Sequence, residues 1–170
     1  MRSLCKLIVV CGFAAAVAAL PYRAQGADSD PGAASIRVES VHVVVSQAGP
    51  VLLLRVGNKV IPIFVDIIVA ESIQGALTGE KTARPLTHDL MHTILAAYDG
   101  KVSQVIVTLK EGTFYAALTL DMQHTSKIFD SRSSDAIALA IHFKAPILVS
   151  RELIDSAGVE VEKKPGEIKL

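Results

Sequence analysis

Cysteine is nearly missing from this chain of 170 residues: there are two, Cys5 and Cys11, both close to the N-terminus. No disulfide framework and no cysteine-type metal set is available further along, so any domain there must rest on an apolar core. Tryptophan is absent and aromatic residues make up 5% of the chain, with Phe114-Tyr115 the one adjacent pair. That leaves little stacking surface along which a single strand of nucleic acid could track. Excess charge is missing too, since 17 basic residues face 17 acidic ones. A strong nonspecific pull on polyanions is therefore excluded. Neither a Gly-x-Ser-x-Gly elbow nor a Gly-rich phosphate loop occurs, which removes the corresponding hydrolase and nucleotide-loop readings.

The N-terminal segment has the three parts of an export signal. Arg2 and Lys6 open it, Leu7 to Leu20 is an apolar and small-residue run, and Ala24-Gln25-Gly26 offers a small-x-small cleavage site. The run of about 14 residues is short of the ~20 that a spanning helix needs. Pro21, Gly26, Pro31 and Gly32 would also disconnect it from a following domain. Residues 1–26 are read as a signal peptide, so the protein is expected to be exported, periplasmic or extracellular, with no stable membrane span after cleavage. Removing Arg2, Lys6 and Arg23 leaves 14 basic against 17 acidic residues, a net charge of −3. Residues 27–36 read as a flexible lead-in, 37–160 as one domain and 161–170 as a charged tail.

Within the domain the apolar pattern alternates between strand and helix periods. Val38 to Val45, Val51 to Val56 and Lys59 to Val65 read as strands, with turns at Gly49-Pro50 and Gly57-Asn58, and Ile68 to Leu77 as a helix. The order returns with strands Val102 to Leu109, Thr113 to Leu120 and Lys127 to Phe129, then a helix Ser133 to Phe143 and a strand Pro146 to Val149. The fold class expected is α+β: duplicated β-β-β-α units forming a mixed, barrel-like sheet with packed helices. Laying the halves over each other brings Glu71 near Asp135, as if related by a pseudo-twofold axis. Between them, Thr87 to Tyr98 reads as a helix capped by Thr87, with Leu90, Met91, Ile94, Leu95 and Tyr98 as its apolar stripe. The helix Ser133 to Phe143 is apolar nearly all round, so Asp135 and His142 each need a partner. Pro146 to Val149 is expected at an apolar sheet edge, with room for a homodimer.

Four segments occur in a telling order: Arg84-Pro85-Leu86-Thr87-His88-Asp89-Leu90, Glu111-Gly112-Thr113-Phe114-Tyr115-Ala116, Asp130-Ser131-Arg132-Ser133-Ser134-Asp135-Ala136-Ile137-Ala138-Leu139-Ala140, and Pro146-Ile147-Leu148-Val149. Together they resemble the bifunctional nuclease (BFN) domain family over roughly Val38 to Gly158. The resemblance implies a repeated α+β fold, dimers, and nuclease activity on DNA and RNA. Two positions depart from the pattern: the family usually has proline where Ser133 stands and alanine near Ser72.

Phosphodiester hydrolysis needs an activated water, charge neutralisation at the phosphate and a stabilised leaving oxygen. His88 is the candidate base. His88, Asp89, Asp130 and Asp135 form the candidate catalytic set, Arg84 and Arg132 the candidate phosphate clamps, and Glu71 with Asp135 the candidate ligands for Mg²⁺ or Mn²⁺. His88-Asp89-Leu90-Met91-His92 also places two histidines at the i, i+4 spacing of a zinc site. Aspartate is too short there to reach a metal-bound water, and only scattered His124 and His142 follow, so that spacing is read as coincidence. The alternative to a nuclease is an exported, non-catalytic binding or assembly module in which these polar groups hold the fold.

Overall fold

The computed structural model describes residues 35–161. The segment read as a signal, most of the lead-in and nearly all of the charged tail lie outside them. Nine strands and four helices follow in the order β1 (Ser35–Arg37), β2 (Ser40–Ser46), β3 (Gly49–Val56), β4 (Lys59–Phe64), α1 (Ile67–Thr78), α2 (Thr87–Ala97), β5 (Lys101–Lys110), β6 (Thr113–Met122), β7 (Thr125–Arg132), α3 (Ser133–His142), β8 (Ile147–Ser150), α4 (Arg151–Ala157) and β9 (Val159–Glu160). The class is α+β, as expected. The strands form two open sheets rather than one closed barrel, ordered β1-β8-β5-β6-β7 and β2-β3-β4-β9.

The succession β-β-β-α occurs twice, as β2-β3-β4-α1 and β5-β6-β7-α3. Tight turns build each meander. Gly57, at φ 59°, supplies the positive φ of the β3–β4 loop, and Glu111-Gly112 (51° and 77°) does so between β5 and β6. The β6–β7 loop makes the same turn with Gln123 (48°) and His124 (64°), neither of them glycine.

The helices that close the two units, α1 and α3, each cover the sheet of their own half. α1 lies on β2 and β3, α3 on β5, β6 and β7, and the two helices pack on each other. Ala136, Ala138 and Ala140 are buried along α3 beside Ile137 and Leu139, and their small side chains let the helix sit close to its neighbours. Leu52, Leu54, Ile61 and Ile73 from the first half join Val105, Val107, Ile137, Val149 and Leu153 in one continuous core.

Three expectations change. Ser35 and Ile36, read as lead-in, belong to β1, which pairs antiparallel with β8. Because β5 pairs with β8 on its other side, in parallel, Pro146 to Val149 does not form a sheet edge. The apolar stripe of α2 does not face the core: Leu90, Met91, Ile94 and Tyr98 are all exposed, and His88 is the helix's buried residue. Periodicity shows that a stripe exists and says nothing of which way it points.

Candidate functional site

Three helix N-termini meet at a cleft of about 360 Å³. Asp66, Ile68 and Val69 enter from the start of α1, Thr87, His88 and Met91 from α2, and Ser131, Arg132, Asp135 and Leu139 from the end of β7 and from α3. Asp66 caps α1: its Oδ1 accepts from the Val69 amide at 3.0 Å. α2 begins differently from the expectation, with Leu86 rather than Thr87 at the cap position. Leucine has no acceptor to offer, and the Leu86 amide instead donates to Asp89 Oδ2 at 2.8 Å. At α3 the cap position is Arg132, and Ser133 is the first helical residue, buried and not a cap. Proline is favoured at that first position, which accounts for the family's usual residue there.

Asp135 is the centre of the polar array. Arg132 binds it through two hydrogen bonds, Nε to Oδ2 at 2.7 Å and Nη2 to Oδ1 at 2.9 Å. His88 Nε2 approaches Oδ1 at 3.3 Å. An ionised carboxylate only accepts, so Nε2 carries the proton and the neutral ring keeps its lone pair on Nδ1. Partial burial pushes the Asp135 carboxyl up, but Arg132's hydrogen bonds and charge, aided by His88, outweigh it and hold the group below the usual aspartate value. The hydrogen bond to Asp135, its charge and a smaller contribution from Asp66 raise Arg132 above the ordinary arginine value. The Arg132 side chain is 68% exposed, so its spare N–H groups face solvent.

A second crossing lies behind the first. His142, on α3, meets Ser72 Oγ on α1 through Nε2 at 3.1 Å, while its Nδ1 lies 3.9 Å from Asp89 Oδ1 on α2. Its ring stands 5.9 Å from that of His92, which also touches Phe143 at 4.5 Å. Burial lowers the His142 pKa; Asp89 opposes the shift, and His92 and His88 add to it. Ser72 Oγ is thus the hydrogen-bond partner of the half-buried His142 ring.

The remaining sequence candidates fall elsewhere. Glu71 is exposed on α1 and does not line the cleft. Counted from each helix start, Glu71 is the fifth residue of α1 and Asp135 the third of α3, so the two do not occupy related places. Asp130 is exposed on the edge strand β7, opposite Ala117. Arg84 is exposed in the segment before α2, away from the cleft lining. Asp89 serves the start of α2 rather than the cleft. Among the described residues no three His, Asp or Glu side chains are grouped to hold a metal ion. With both Asp135 oxygens engaged and Glu71 elsewhere, the donor set as placed does not fit the expected Mg²⁺ or Mn²⁺. Asp66 was not singled out from the sequence, although an aspartate directly before the apolar run Ile67-Ile68-Val69 is a cap signature.

Fold and cleft together define an α+β domain with a histidine–carboxylate–arginine array where three helices begin. The chain belongs to the bifunctional nuclease domain family, whose description matches residues 51–162. It is 36% identical over 135 residues to the uncharacterized proteins MT1877 and Rv1829 of two Mycobacterium tuberculosis strains, covering 78% of this chain and 80% of each relative. It is 30% identical over 117 residues to Bifunctional nuclease 2 of Oryza sativa subsp. japonica, covering 65% of this chain and 36% of that protein.

Proposed function

We propose that the domain is a nuclease hydrolysing phosphodiester bonds of DNA and/or RNA at this cleft, acting outside the cytoplasm once residues 1–26 are removed. The observation that carries the reading is the bidentate Arg132–Asp135 pair joined to His88 at the mouth of the cleft. A guanidinium has five N–H donors, and two are spent on Asp135. The others are suited to a phosphodiester anion. His88 is the base: through Nδ1 it takes a proton from the water that attacks phosphorus, the bond from phosphorus to the leaving oxygen breaks, and that oxygen takes a proton from solvent. Asp135 is a positioning residue, fixing the tautomer of His88 and stabilising the imidazolium as it forms. Asp89, Asp130, Arg84 and Glu71 have no step in this scheme, and none is routed through a metal.

A second reading has its own support. His88 is buried and both Asp135 oxygens are engaged, so the array also clamps α2 to α3, as a non-catalytic binding or assembly module would need. We place the homodimer expected from the sequence on the outer line of α2, where Leu90, Ile94 and Tyr98 are exposed one turn apart. Purified protein incubated with plasmid DNA and with single-stranded RNA, with Mg²⁺, with Mn²⁺ and with EDTA, separates the two readings. Cleavage under any of these conditions is the expected result. Its absence under all of them favours the binding module.

A further inference from the structure

Resting on the nuclease reading for the position of the phosphate, we propose that the apolar half of the cleft is a base subsite, and that the domain acts on unpaired nucleotides rather than intact duplex. The lining divides by chemistry. Arg132 and Asp66 mark the polar part, while Ile68, Val69, Met91 and Leu139 supply an apolar part. A site for phosphate alone has no use for four apolar side chains, and a purely apolar docking groove has no use for a guanidinium and a carboxylate at its mouth. A nucleotide needs both.

The apolar part has a floor and two walls. Val69 and Leu139 are buried at 4% and 3% exposure and belong to the core, whereas Ile68 and Met91 are 50% and 42% exposed on the two helices that flank the cleft. A base entering between them covers surface that the fold leaves in water. The methionine thioether is polarizable and makes favourable contacts with aromatic rings. Charge sets the orientation: the guanidinium of Arg132 draws the phosphate, and the base goes to the apolar part.

Size decides against duplex. At about 360 Å³ the cleft is near the small end of ligand sites, which run from ~300 to ~1,000 Å³, and it admits one nucleotide. A paired base must leave the stack to enter such a pocket, at a cost that an unpaired base does not bear. The shortage of aromatic residues agrees with a single base held by aliphatic and thioether groups, with no stacked track on either side.

Calorimetric titration of the full chain with adenosine monophosphate, ribose 5-phosphate and inorganic phosphate tests the subsite without requiring turnover. Adenosine monophosphate should bind about tenfold tighter than ribose 5-phosphate. In the Ile68→Ala/Met91→Ala variant that ratio should shrink to about threefold or less, with phosphate binding unchanged. Both positions are exposed, so the fold is expected to survive, and circular dichroism checks it. Equal binding of the two sugar phosphates by the unaltered protein, or no binding of either, overturns the subsite. In parallel, a single-stranded oligonucleotide should be cut at least ~10-fold faster than the same sequence in a duplex. A duplex cut equally fast overturns the preference. If neither is cut, the nuclease reading fails while the titration still decides the subsite.

Discussion

Each of α2 and α3 sends a histidine toward an aspartate of the other: His88 to Asp135 at 3.3 Å, and His142 to Asp89 at 3.9 Å. Of the apolar stripe of α2, Leu90, Met91, Ile94 and Tyr98 are exposed and Leu95 is half-buried. The two crossings respond to different pH ranges. Asp135 is held below its ordinary pKa, so its contribution to stability is full above the unfolded value of about 4 and is lost only as pH falls through the lower folded value. His142 is also lowered, and for a histidine the unfolded chain then binds the proton more readily. Stability is therefore greatest above about pH 6.5 and declines as pH falls toward the folded value. Urea unfolding at pH 7.5 and pH 5.5 should show a loss on acidification, and His142→Gln should reduce that loss. An equal loss in the variant would assign the acid sensitivity to other groups.

At the level of elements, the β6–β7 loop is the most improvable part of the fold. Gln123 and His124 both adopt positive φ, a region that costs a non-glycine residue about 1–2 kcal/mol. Gln123→Asn with His124→Gly places the preferred residues in that turn and should stabilise the domain by about 1 kcal/mol, read as a raised Tm in thermal unfolding. The β-branched runs of β2 to β5 and the buried helix α3 were legible in the sequence because their pattern needs no outside partner to be read. β1 was not, being three residues long and defined by its pairing with β8. α4, seven residues behind a Ser150 cap, is too short to show a period. In the cleft, Arg132, His88 and Asp135 were legible as polar groups beside apolar helices. The positions of Glu71, Asp130 and Arg84 were not, since proximity to a motif along the chain does not say which side of the molecule a residue faces.

Over the described residues the chain folds into two open sheets joined by the α1–α3 contact and by α4, with no described helix long and apolar enough to cross a membrane. Its outer α2 line of Leu90, Ile94 and Tyr98 is the surface on which we place a second copy. Sedimentation should find a dimer at micromolar concentration and a monomer after Ile94→Glu, with little change in Tm; an unaltered dimer would move the interface elsewhere. β8 lies inside the five-stranded sheet and offers no free edge for that role. We infer that one array, Arg132, Asp135 and His88, performs phosphodiester cleavage. Its most direct test is the single-turnover cleavage rate of single-stranded RNA by the unaltered protein, His88→Ala, Asp135→Asn and Arg132→Ala, each shown to be folded by its melting curve. Each substitution should slow cleavage on the order of 10²-fold or more. Cleavage that persists at the original rate in all three folded variants would contradict the claim.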